Sequence, residues 1–328
     1  MRGSTLCRTP QCFVRHSSRY FLNMVDTIQW YITCFYRFVS IPEERVDNLR
    51  EEIRSWMDDH QMRGLVLVST EGLNGTVSGD PEVLPKFKQK ICEWAGTEVH
   101  FKDSQSNVRP FRRLSVDKRL EIVGMKRPDL VPDEVENHHL TPKEWHEMLS
   151  AENPPLLIDT RNKYETLAGK FVGAVDPQID NFSDWGKYLD SAEIPKEEPV
   201  LIYCTGGIRC EKAILEMHQR GFEKVYQLRD GIIGYLAEYP NGLFDGDCYV
   251  FDERVALDQN LKPTTRLGNC PGCGLTAEIK RTCEYCGKDY FVCTACQDTW
   301  EPVCNKTCRD RWQHVVRKKN AKNQDPLA

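Results

Sequence analysis

Eight of the fifteen cysteines fall between residues 270 and 308, arranged Cys270-x-x-Cys273, Cys283-x-x-Cys286, Cys293-x-x-Cys296 and Cys304-x-x-x-Cys308. Side chains at this knuckle spacing converge on common centres, and eight thiolates make two tetrahedral four-cysteine sites of the kind that hold zinc. Gly274 and Gly287 follow two of the pairs, where the chain must turn so that backbone amides can approach sulfur. The stretch has too few apolar residues for a core of its own and is expected to fold only around metal. Spacing leaves open whether neighbouring pairs share an ion or the first pairs with the third; iron–sulfur clusters and free thiols are the competing readings. Disulfides suit a small secreted chain, whereas crowded pairs suit a reducing compartment such as the cytoplasm.

With 328 residues, 40% of them hydrophobic, the chain is long enough for two or three cores. A formal net charge of −5 gives no global attraction to nucleic acid or anionic membranes, so any such contact must be local. Two basic patches qualify. One is Arg109, Arg112, Arg113, Lys118 and Arg119; the other, around Trp312, is Arg309, Arg311, Arg317, Lys318, Lys319 and Lys322. For each, a solvated face is the plainer alternative. No run approaches the roughly 20 apolar residues that span a bilayer, and no secretory signal is visible, so no membrane partner is expected. Residues 1–27 form a leader in which Arg2, Arg8, Arg15 and Arg19 precede any acidic residue. That composition suits an organellar transit peptide, mitochondrial or plastid; the competing reading is a leader ahead of a start at Met24.

Residues 28–126 alternate extended and helical patterns. An aromatic, β-branched run from Ile28 gives a strand, and Pro42 opens a helix with Val46, Leu49, Ile53 and Trp56 on one face. Two strands follow around a Gly/Asn turn, then a helix from Asp80-Pro81 to Gly96, then further extended segments. The order β-α-β-β-α-β predicts an N-terminal ferredoxin-like (acylphosphatase-like) sandwich. Residues 127–141, proline-rich and acidic, read as a linker in which His138 and His139 are a solvated pair rather than metal ligands. From 142 to 247 short apolar strands alternate with helices, which predicts a parallel α/β sheet. Residues 248–328 hold the cysteine module and the basic tail.

Functional sites in parallel sheets form at the carboxyl ends of strands. Cys204 stands at one, in the string Tyr203-Cys204-Thr205-Gly206-Gly207-Ile208-Arg209-Cys210. Glycines let the backbone curl so that successive N–H groups point inward, and the helix that follows adds the positive end of its dipole. The anion favoured there is the Cys204 thiolate, its pKa lowered by those groups and by Arg209. A thiolate so placed attacks electrophilic sulfur or oxygen and can carry a transferable atom. Cys210 is either a resolving thiol or a small packing residue. Asp159, two residues from Arg161, is expected to form an ion pair rather than act as a base.

Cys-x-x-Gly-x-Arg after an apolar strand resembles the active-site loop of the rhodanese superfamily, and the string around Asp159 and Arg161 resembles its other recurrent signature. Together with Asp230 to Tyr235 (Asp230 standing where glycine is usual), Tyr249 to Arg254 and the cysteine-rich tail, the chain from about 28 to 310 is similar to the rhodanese-type tRNA uridine hydroxylases, the TrhO family. The resemblance implies a central rhodanese domain, oxygen (O2) as co-substrate, conversion of the wobble uridine in the anticodon arm of tRNA to 5-hydroxyuridine, and an essential, persulfide-forming Cys204. An unpaired uridine would then stack on Tyr235 or Tyr249. Two other functions use the same residues: a thiosulfate-type sulfurtransferase passing a persulfide from Cys204, and a non-catalytic zinc-containing RNA- or protein-binding module.

Overall fold

The computed structural model describes residues 29–132 and 138–324, with side chains to residue 316. The leader, residues 133–137 and the side chains of Arg317, Lys318, Lys319 and Lys322 lie outside the described residues.

The aromatic run forms β1 (Trp30–Phe38) and is followed by α1 (Glu43–Asp59), β2 (Arg63–Ser69), β3 (Gly72–Gly79), α2 (Leu84–Ala95), β4 (Phe101–Ser106) and β5 (Leu114–Lys118). The sheet order β4-β1-β3-β2 is that of the expected split βαβ sandwich, and β5 extends it by pairing parallel to β2. The buried seam of α1 is Val46, Leu49, Ile53 and Met57. Trp56, expected on that seam, is half-buried at its edge, stacked on His60 at 3.9 Å between ring centroids. Both helices pack on one face of the sheet, so the other face is free to meet a second domain.

That domain contains β6 (His139–Leu140), α3 (Pro142–Leu149), β7 (Leu156–Asp159), α4 (Lys163–Thr166), β8 (Gly169–Phe171), α5 (Trp185–Ser191), β9 (Val200–Tyr203), α6 (Ile208–Gln219), β10 (Val225–Leu228), α7 (Gly231–Glu238) and β11 (Phe244–Gly246). The parallel sheet runs β6-β10-β9-β7. All of β9 is buried, and its residues alternate between two cores as strand geometry requires. Val200, Ile202 and Cys204 face α5 and α6, while Leu201 and Tyr203 face α3 and α7. α3 opens at Thr141-Pro142 with a capping box to Glu144.

His139, expected in a solvated linker, is instead on a sheet strand with its Nε2 3.0 Å from Glu211. Its neighbour His138 packs edge-on against His218. Two backbone pairings of residues 138–140 with β10 outweigh the loop-like composition upstream.

The remaining elements are short: β12 (Cys248–Tyr249), β13 (Ala256–Leu257), β14 (Gly268–Asn269), β15 (Thr276–Ala277), β16 (Ile279–Thr282) and β17 (Asp289–Val292), followed by a helix, α8 (Lys306–Gln324). The cysteine module has more apolar packing than composition suggested: Ala277, Tyr290, Val292 and Val303 form a small cluster with Trp300 and Trp312 against it. Among the described residues no helix is long and apolar enough to cross a membrane.

Candidate active site

Cys204 leaves the central strand β9 directly into the loop that starts α6. Gly207 supplies what the curl demands: its φ is +100°, and a Cβ there would sit 2.9 Å from the Tyr36 hydroxyl. With no side chain in the way, the Gly207 N–H donates to Cys204 Sγ at 3.0 Å. Burial alone would push this thiol up. The hydrogen bond from the Cys210 thiol, the charge of Arg209 and the backbone N–H groups of Arg209 and Gly206 outweigh it and bring Cys204 down to about 5. Cys210 moves the opposite way, pushed well up by burial and by the neighbouring Cys204. One thiol of the pair is therefore the anion and the other its donor. Thr160 Oγ1, 3.7 Å from Cys210 Sγ, completes the contact on the buried side.

Arg209, at 7% exposure, does not reach into open water. Its guanidinium is gripped in bidentate fashion by Glu165 of α4, with Nη1 to Oε2 at 2.6 Å and Nη2 to Oε1 at 2.8 Å. Thr205 Oγ1 lies 3.5 Å from both partners. Glu165 also accepts the Asn162 N–H at 3.1 Å. The sequence reading missed Glu165; the one local trace is the Asn162-x-x-Glu165 spacing that opens α4.

Asp159 and Arg161 form the expected ion pair, Arg161 Nη2 to Asp159 Oδ2 at 2.7 Å and Nε to Oδ1 at 2.9 Å, both side chains fully buried. Arg161 Nη2 also donates to the Gly169 carbonyl at 2.6 Å, which ties β7 to β8 behind the loop.

Cys204, Thr205, Gly206, Ile208 and Arg209 line a cavity of about 770 Å³. Its opposite wall is the free face and edge of the N-terminal sheet, with Cys34, Tyr36 and Lys102, and residues 250–254 close a third side. Tyr36 reaches across the joint and donates to Glu211 Oε1 at 2.8 Å, beside His139 and Gln227 on the same carboxylate. Asp230, in the left-handed region at φ +61°, lies 3.3 Å from Lys102 Nζ. Of the aromatics proposed to stack a base, Tyr235 belongs to the core of the parallel-sheet domain, its hydroxyl accepting from the Leu243 N–H at 2.9 Å and 2.8 Å from His146 Nδ1. It is unavailable to a ligand in the cavity. Tyr249 is half-buried between Tyr164 and Phe251.

The eight tail cysteines sort into two groups: Cys270, Cys273, Cys293 and Cys296 in one, Cys283, Cys286, Cys304 and Cys308 in the other, the sulfurs of each within 4.8 Å of one another. The first pair thus joins the third and the second joins the fourth, an alternation that spacing left open. Gly274 and Gly287 have the positive φ expected after a knuckle. Sulfur–sulfur separations of 3.6 Å for Cys273–Cys293, Cys286–Cys304 and Cys304–Cys308 match the edges, about 3.8 Å, of a tetrahedron with metal–sulfur bonds of about 2.3 Å. Each group can hold one metal ion with all four positions filled by thiolate.

The basic patches behave differently from one another. Lys118 is held by Glu43 and Asp47, at 2.7 and 3.0 Å, and Arg119 by Asp117 at 2.9 Å. Arg109, Arg112 and Arg113 are exposed on a loop beside the cavity, with Arg112 paired to Glu253 at 2.8 Å. In the tail, Arg309 covers the Trp300 ring at 4.9 Å and Trp312 donates to Glu284 at 3.0 Å.

Family models agree with this three-part organisation: the UPF0176 acylphosphatase like domain matches residues 30–122, the Rhodanese-like domain residues 141–238, and the Rhodanase C-terminal domain residues 245–309. A rhodanese-like domain protein of Staphylococcus aureus aligns over 30% of this chain and 91% of its own, at 23% identity and a TM-score of 0.27. Much more of the chain is matched by the tRNA uridine(34) hydroxylase of Bdellovibrio bacteriovorus, 38% identical over 93% of this chain and 87% of that one. The tRNA uridine(34) hydroxylase of Rhizobium leguminosarum is 36% identical over 84% and 90%. An activated loop cysteine, a sandwich closing its cavity and paired cysteine clusters thus come with near full-length similarity, and the chain belongs to the tRNA uridine(34) hydroxylase family.

Proposed function

We propose that this chain hydroxylates uridine 34 of tRNA at C5, giving 5-hydroxyuridine with O2 as co-substrate, and that Cys204 is its reactive group. The observation that carries this is the cavity: an activated thiolate lines a space of nucleotide size, about 770 Å³, half of whose wall comes from a domain that a thiosulfate-type sulfurtransferase would not need. A non-catalytic binding module would have no use for a thiol brought down to about 5. In this reading Arg209 and Cys210 stabilise the Cys204 anion, Thr205, Gly206, Gly207 and Ile208 shape its cradle, and Asp159 and Arg161 brace the strand ends beneath it. The two cysteine groups hold structural zinc, one ion each, since four thiolates leave no position for substrate. The anticodon arm is the part of tRNA presented to the cavity, and the free thiols suit a cytoplasmic setting. Mass spectrometry of tRNA nucleosides from cells with and without the gene tests the reading: 5-hydroxyuridine should vanish with the gene, and its persistence would remove the proposed activity.

A further inference from the structure

The geometry points to Phe251 as the stacking platform for an unpaired pyrimidine base, with Phe111 across from it and the arginines beside Phe111 as contacts to the RNA backbone. The inference rests on the tRNA reading above and gives it a binding edge. Phe251 is 63% exposed, a large apolar ring left in water, and it lines the same cavity as Cys204. The Arg209 guanidinium lies 5.8 Å from its centroid, so a base on the ring stands next to the loop that carries the thiolate. Phe111, half-buried, lines the cavity from the N-terminal domain.

The two rings are not on independent loops. The Glu253 N–H donates to the Pro110 carbonyl at 2.9 Å, Arg112 pairs with Glu253 at 2.8 Å, and Arg254, clasped by Asp252, reaches Ser104 at 3.3 Å. These bonds hold residues 250–254 against residues 104–112 and so set the gap between the rings. Single-stranded nucleic acid is bound in this way, by aromatic faces that stack bases and by basic groups that follow the backbone. Arg113 and Lys126 are exposed at this cavity or on the loop that carries Phe111, whereas Arg112 is paired with Glu253 and Lys118 and Arg119 of the same basic run are tied to acids elsewhere. A net charge of −5 makes such a local patch the means by which the chain attracts a polyanion. A protein partner would need a broad contiguous contact, and Phe251 is a single exposed ring beside a cavity.

The test uses the full chain and two synthetic anticodon stem–loops, one with uridine at the wobble position and one lacking that base, with affinity followed by fluorescence anisotropy across a salt series. Wild type should prefer the RNA that has the base. Phe251→Ala should lose about tenfold in affinity for it and lose the preference, with an unchanged salt slope, because stacking releases no counterions. Phe251→Tyr should keep both. Arg113→Ala should weaken both RNAs alike and flatten the salt slope by about 0.7. If wild type binds neither stem–loop, the tRNA reading falls and takes this inference with it. If wild type prefers the base and Phe251→Ala does so equally, the tRNA reading stands and the stacking role is overturned.

Discussion

The loop after β9 and the C-terminal knuckles both gather thiols against backbone N–H groups, and they use them in opposite ways. At Cys204 a single sulfur receives the Gly207 N–H, the Cys210 thiol and the field of Arg209, and it faces a cavity. In the tail each sulfur has three others within 4.8 Å. A charge shared among neighbours and metal builds structure, whereas a charge held by donors that cannot accept it stays reactive. The supporting residues differ accordingly. The loop is fixed by buried ion pairs and two apolar cores, and the knuckles by a small apolar cluster beside two cysteine groups that could each hold a metal ion.

The sharpest way to break this comparison is to strip the metal. A strong chelator should remove two zinc ions per chain, leave residues 270–308 without fixed structure by hydrogen exchange, and leave the parallel-sheet domain protected. Loss of protection at Cys204 as well would show that the two regions are one unit. Next in size is Glu165→Ala, which leaves the Arg209 charge buried without its partner; chemical denaturation should show a loss of about 3–5 kcal/mol. A loss under about 1 kcal/mol would mean that Arg209 finds water instead.

Arg209→Lys keeps the charge but not the fork and should move the Cys204 titration to higher pH. Alkylation of the thiolate by iodoacetamide, followed against pH, rises through the thiol pKa; from a starting value of about 5, a first unit of upward movement about halves the rate at pH 6 and a second lowers it about fivefold further. The linked stability has a definite sign. With the folded thiol at about 5 and the ordinary value at 9.0, the thiolate's contribution is complete above pH 9.0 and fades as pH falls towards 5. An unchanged profile would remove Arg209 from the activation. The smallest effect is expected for Cys210→Ser, whose hydroxyl still donates to the Cys204 anion, at less than about 1.5 kcal/mol. Complete inactivation by that change would instead mark Cys210 as a second reacting thiol.

Much of this was legible because it is local. The curl at Gly206-Gly207, the Asp159–Arg161 pair, the strand and helix order and the knuckle spacing are all set by residues a few positions apart. What escaped was long-range. Glu165 meets Arg209 across 44 residues, and Tyr36 meets Glu211 across 175. No periodicity announces such partners, so the cavity wall from the N-terminal domain was invisible as well. Tyr235 was misplaced for the same reason: an aromatic on a short helix looks alike in sequence whether it faces a core or a cavity. Knuckle spacing alone allows neighbouring pairs to close on each other or to alternate, and the alternation comes with the β14–β15 and β16–β17 hairpins, each of which brackets one knuckle.

The central claim, that the Cys204 thiolate is the group through which tRNA is hydroxylated, is tested most directly in a strain lacking the gene and complemented with either wild type or Cys204→Ser. Serine fits the loop, but its hydroxyl has a far higher pKa and is neither a comparable nucleophile nor a persulfide carrier. Nucleoside mass spectrometry should find 5-hydroxyuridine restored by wild type and absent with Cys204→Ser at equal protein level. Restoration by Cys204→Ser would contradict the account.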